Sequence, residues 1–178
     1  MSFITEIQPG VCRQPNDATS GFVLNHCMLR VKDPLRSLDF YTRVMGMRLL
    51  RKLDFPDLKF SLYFLHLPQA GAAAPDDVGE RTMWTFSQQG MLELTHNWGT
   101  ESDPAFEYHD GNAHPKGFGH ICFSVPDLDS AVRWLDENQI RFVKRPDQGK
   151  LKDVAFITDP DGYWIEVVEP RRLASLGR

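Results

Sequence analysis

The chain repeats itself once, and this constrains its fold more than any other feature. Setting "HCMLRVKDPLRSLDFY" over "HICFSVPDLDSAVRWL" at a constant offset of 94 residues brings His26 onto His120, Val31 onto Val125, Asp33 onto Asp127, Leu38 onto Val132 and Phe40 onto Trp134. Each copy starts with an apolar strand pattern, turns at an aspartate into a segment of helical spacing, and continues into further strands. The last strand of each copy encloses one glutamate: Glu93 in "GMLELTHNW" and Glu166 in "YWIEVVEP". Such a chain is expected to be α+β, with two tandem βαβββ modules.

The boundaries follow from punctuation. Residues 1–20, rich in Pro, Asn, Asp, Ser and Thr, read as an arm. The first module spans 21–114. Pro34 opens its helix, Leu35, Leu38, Tyr41, Val44 and Met45 recur at helical spacing, and Gly46 follows as C-cap. "MRLLRKLDF" and "KFSLYFLHL" are its middle strands. An insertion at 68–89 begins with the Pro/Gly/Ala-rich "PQAGAAAPDDVGE" and ends with "RTMWTFSQQ", which fits either a helix or a strand. A polar linker closes the module. Residues 115–178 form the second module and a tail, with a helix over 128–138.

A formal charge of −4 and the absence of a dense basic face argue against a nucleic-acid partner. No apolar run nears 18 residues, so no membrane span is expected. "MSFITEIQPG" lacks the basic and apolar regions of a secretory signal. Three widely spaced cysteines, Cys12, Cys27 and Cys122, suit a reducing compartment, with Cys27 and Cys122 as small core residues. The expected location is the cytoplasm. CxxC pairs, phosphate-binding glycine loops and nucleophile elbows are all lacking.

Strand alternation sorts the residues that could carry chemistry. His26, Met28 and Arg30 share one face of the first strand, and Glu93, Thr95 and Asn97 share one face of the fourth. His120, Cys122 and Ser124 line up in the second module, and Glu166 lies with Trp164 and Val168. If the strands curl so that these faces turn inward, two imidazoles and two carboxylates converge, a set suited to Zn²⁺, Ni²⁺ or Co²⁺. On spacing alone a second reading stands beside this one: hydrogen-bonded strand histidines, and glutamates on a solvent face.

The segments "MLRVKDPLRSLDFYTRVMGM", "KFSLYFL", "LELTHNWGTE", "GFGHI" and "DPDGYWIEV" together resemble the glyoxalase I family of the vicinal oxygen chelate superfamily, from about Phe22 to Pro170. The resemblance implies metal ligands at His26, Glu93, His120 and Glu166, although animal members carry Gln at the position of His26. It implies one divalent metal per site, Zn²⁺ rather than Ni²⁺ for members with a long insertion, and glutathione as cosubstrate. Glutathione contacts would fall at Arg30, Asn97, Lys116, Lys144 and Lys150, with Lys116 replacing an Arg of the animal form. Phe55, Leu62 and Phe64 would line the thioester pocket, with Leu151 at its mouth. The implied assembly is a homodimer, with His26 and Glu93 from one subunit meeting His120 and Glu166 of the other.

The implied reaction isomerises the methylglyoxal–glutathione hemithioacetal to S-lactoylglutathione through an enediolate, with Glu166 as base and Glu93 serving the other enantiomer or returning the proton. Two other uses of such a scaffold are an extradiol dioxygenase, with two His and one carboxylate on Fe²⁺, and a metal-free ligand-sequestering module. A fourth ligand at Glu93 disfavours the first, and the duplicated ligand order disfavours the second.

Overall fold

A computed structural model describes residues 8–12, 16–67 and 73–175. Part of the expected arm and the start of the insertion lie outside the described residues. In chain order the elements are β1 (His26–Arg30), α1 (Pro34–Asp39), β2 (Arg48–Phe55), β3 (Phe60–His66), α2 (Val78–Ser87), β4 (Met91–Asn97), β5 (His120–Ser124), α3 (Leu128–Glu137), β6 (Phe142–Lys144), β7 (Val154–Thr158) and β8 (Trp164–Val168). They form two sheets of identical topology, β1-β4-β3-β2 and β5-β8-β7-β6. In each, the first strand runs parallel to the last and the remaining neighbours are antiparallel.

The repeated aspartates cap equivalent helices. Asp33 accepts from the Leu35 amide and Asp127 from the Ser130 amide, each satisfying an otherwise orphan N–H. The first helix does not run unbroken to Gly46: α1 ends at Asp39, and a π-helical turn over Phe40–Val44 completes the segment. Gly46 sits at φ 76°, the left-handed region expected of a C-terminal glycine.

One face of each sheet packs into a core shared by both modules. Leu29, Val31, Tyr41, Leu65, Leu92 and Leu94 meet Leu128, Leu135, Ala155, Ile157, Ile165 and Val167 there. Leu94 is fully buried, a transfer worth about 1.5–3 kcal/mol. Polar contacts fasten the modules together. Tyr41 Oη donates to Asp159 Oδ2 at 2.8 Å, the Lys32 amide to Asp161 Oδ1 at 3.0 Å, and Trp134 Nε1 to the Val44 carbonyl at 2.9 Å. The opposite faces bear the histidines and glutamates; α2 covers part of the first, where Phe64, Glu93 and Thr95 are buried, while His120 and Cys122 on the second are exposed.

Candidate metal centre

The pairing register builds the first half of the site. Met28 lies opposite Glu93 on β4, so His26, two residues earlier on β1, reaches Glu93 diagonally, with Nε2 3.0 Å from Oε2. Phe64 pairs with Glu93 from β3, and its ring meets His26 edge-on at 5.5 Å and 81°. Asn25 sets the histidine's tautomer. Its Nδ2 donates to the carbonyls of Thr85 (3.0 Å) and Gln88 (2.8 Å), so its Oδ1 is the atom 2.7 Å from His26 Nδ1. An amide oxygen only accepts, so Nδ1 carries the proton and Nε2 presents a lone pair to Glu93. Two acceptors facing each other at that distance need a cation or a second proton between them. Thr95 Oγ1 donates to Glu93 Oε1 at 2.9 Å.

The second half repeats the arrangement on β5, β7 and β8. Cys122 and Phe156 flank Glu166, and His120 Nε2 lies 3.4 Å from Glu166 Oε2. Phe156 meets His120 edge-on at 5.3 Å and 73°. Burial first, and then the Glu166 carboxylate, push the Cys122 thiol up to about 12, so it stays protonated. Cys27 and Cys122 are exposed rather than core residues. Both line a cleft of about 340 Å³ with Met47, Leu92, His120 and Phe123.

The donors suit a shared ion. Two ligands each about 2.1 Å from one ion, at octahedral or tetrahedral angles, stand roughly 3.0–3.4 Å apart, and the two pairs span 3.0 and 3.4 Å. Within one chain the four do not converge. Among the described residues no three His, Cys, Asp or Glu side chains cluster closely enough to hold a metal ion. The sheets do not curl their open faces onto one point, so each offers two ligands only.

The expected substrate residues divide the same way. Arg30 pairs with Thr95 and Leu62 lies opposite it, beside Phe64, while Phe55 stacks on Phe60 at 4.7 Å, all on the first sheet. Asn97 Nδ2 donates to Tyr108 Oη at 3.0 Å. Lys116 is exposed on the linker, and Lys150 and Leu151 are exposed between β6 and β7. Lys144 turns its Nζ onto the carbonyl oxygens of Val154 (2.5 Å) and Arg145 (3.3 Å), and burial lowers its pKa.

The insertion supplies residues that periodicity missed. "RTMWTFSQQ" belongs to helix α2, capped by Asp77 on the Glu80 amide. The Asp77–Glu80 spacing is a capping-box signal that was legible in the sequence. From α2, Phe86 meets both Phe64 (5.0 Å) and His26 (6.4 Å). The helix's last carbonyls hold Asn25.

A family model described as "Glyoxalase/Bleomycin resistance protein/Dioxygenase superfamily" matches residues 23–167. The chain belongs to this superfamily. Among its members, a lactoylglutathione lyase of Pseudomonas aeruginosa is 57% identical over 178 residues, covering 100% of this chain and 99% of that protein. A glyoxalase I of Saccharomyces cerevisiae is 48% identical over 159 residues, 86% of this chain but 46% of that protein, so the chain spans about half of it. The glyoxalase I structure from Leishmania major superimposes with a TM-score of 0.61 at 30% identity, covering 84% of this chain and 88% of that one. Glyoxalase I from Zea mays gives a TM-score of 0.62 at 29% identity, over 83% and 44%.

Proposed function

We propose that the chain is a glyoxalase I acting on the methylglyoxal–glutathione hemithioacetal, with His26, Glu93, His120 and Glu166 as the ligands of one divalent ion. The observation that carries the site is the duplicated His–Glu pair, in the same register on both sheets and at the spacing of ligands to a shared ion. Each sheet holds half the set, and the substrate residues divide likewise. The reading is therefore a homodimer, in which the first sheet of one subunit faces the second sheet of the other. Zn²⁺ is the proposed ion, in keeping with the long insertion; Ni²⁺ suits the same donors. The proposed compartment is the cytoplasm. Among the described residues no helix is long and apolar enough to cross a membrane.

The reaction moves a proton between adjacent carbons, one of them beside a carbonyl. The bound ion supplies Lewis acidity toward the substrate oxygens. Glu166 removes the proton from the carbon beside the carbonyl, and that proton returns to the neighbouring carbon from Glu166 or from Glu93, which also suits the opposite enantiomer. Phe64 and Phe86 pack on the His26 ring, and Leu62 and Phe55 extend the apolar strip along the first sheet toward the end that carries Asn97. Arg30, Lys116 and Lys150 answer the two carboxylates of glutathione, Lys144 being turned onto backbone carbonyls instead, and Asn97 offers an amide. On a chain of net charge −4, this local basic set admits an anionic substrate.

A dioxygenase on this scaffold needs only one carboxylate, and the curated relatives named as lactoylglutathione lyases favour the isomerase. The test is thioester absorbance with premixed methylglyoxal and glutathione, on protein stripped of metal and then given Zn²⁺ or Ni²⁺. Activity restored by one ion supports the reading and names the ion. Folded, metal-loaded protein that yields no thioester overturns it.

A further inference from the structure

The two half-sites share their ligands but not the groups that support them. In the first, each ligand has a fixed partner: Asn25 Oδ1 at His26 Nδ1, and Thr95 Oγ1 on Glu93 Oε1. Asn25 is anchored in turn by two carbonyls of α2. Thr95 and Glu93 are 8% and 9% exposed, so water does not compete for their hydrogen bond. The repeat puts Gly119 where Asn25 stands, and Val168 lies two residues past Glu166 as Thr95 lies past Glu93. Glycine has no side chain and valine has no donor. The group opposite Glu166 on β5 is the Cys122 thiol, a weak donor. The Glu166 side chain is also the more exposed of the two carboxylates, 21% against 12%.

From this asymmetry we infer that Asn25 and Thr95 are positioning residues that make His26–Glu93 the fixed half of the site and leave Glu166 as the carboxylate able to move. The inference rests on the four-ligand reading above. A carboxylate with one oxygen held by a buried hydroxyl presents the other in a set direction, and turning away breaks that bond. Glu166 turns at the loss of only the contact to the Cys122 thiol, a weak donor. The division of labour between two chemically identical side chains is thus written in the residues that hydrogen-bond the ligands of one half and have no counterpart in the other.

The test measures Zn²⁺ release to a chromophoric chelator, kcat and KM, and thermal unfolding of the metal-free proteins. Thr95→Val should release Zn²⁺ roughly 10–100-fold faster with the metal-free melting temperature unchanged, and Thr95→Ser should restore release to within roughly twofold of the parent. Val168→Thr places a hydroxyl beside Glu166 and should lower kcat about tenfold, with KM unchanged and release no faster. Equal release rates from the parent, Thr95→Val and Thr95→Ser overturn the inference alone. Should Thr95→Val not fold, Val168→Thr decides, and an unchanged kcat overturns it. A parent protein that takes up neither Zn²⁺ nor Ni²⁺ overturns the four-ligand reading, and the inference with it.

Discussion

Asp159 ties the second module to the first and should make stability fall as pH rises. Its Oδ1 accepts from the amides of Asp161 and Tyr163, both at 2.9 Å, and its Oδ2 from Tyr41 Oη at 2.8 Å. Burial outweighs these bonds and pushes its pKa from the ordinary 3.8 up to about 7. The folded protein therefore holds this proton more tightly than the unfolded chain does. The stability it contributes is full below 3.8, declines as pH rises through the window up to about 7, and changes no further above it.

Between about pH 4.5 and about pH 8 the linkage amounts to about 3 kcal/mol. Asp159→Asn removes the titration while keeping the contacts: the amide oxygen takes the two backbone donors, and the NH₂ donates to Tyr41 Oη. Urea unfolding of metal-free parent and variant at those two pH values isolates the group together with its electrostatic neighbour Asp161, because titrations elsewhere are common to both. The variant should gain about 3 kcal/mol relative to the parent on going from acid to base, a midpoint shift of roughly 1–3 M urea. A stability difference that does not vary with pH refutes the reasoning.

Glu166→Gln should keep the fold and most metal binding, measured by calorimetry, yet lower kcat by about 100-fold or more. Arg30→Ala should raise KM for the hemithioacetal about tenfold or more with a smaller change in kcat, since a charge-assisted contact to a carboxylate is lost; steady-state kinetics at fixed free glutathione checks this. If sites form between chains, mixing His26→Ala with His120→Ala subunits should regenerate one intact site per mixed dimer. That is about a quarter of parental activity after statistical exchange, and no recovery would place each site within one chain.

The placing of the two His–Glu pairs was legible because strand periodicity and the repeat both act through the backbone. A two-residue period puts His26 on the same face as Met28, and the matched topology makes His120 and Glu166 follow suit. What was not legible depends on tertiary neighbours. Cys27 shares its strand face with Leu29 and Val31, yet it lines a cleft at the start of β1 and is exposed. Alternation assigns a face, not the extent of its cover. Lys144, expected at glutathione, spends its ammonium on backbone carbonyls. His96 pairs with Glu101 at 2.7 Å while itself buried, a contact that alternation does not predict. Helix α2 was ambiguous because its apolar residues point to several surroundings: Met83 is exposed, while Phe86 leans on the His26 ring.

From His to Glu the first module is 21 residues longer than the second, and α2 lies within that excess. Because the last turn of α2 grips Asn25, and Asn25 grips His26, the extra length is not a surface ornament that evolution can trim at will. Shortening it strands an amide without its acceptors and frees an imidazole to spin, so loop length and ligand geometry are inherited as one trait.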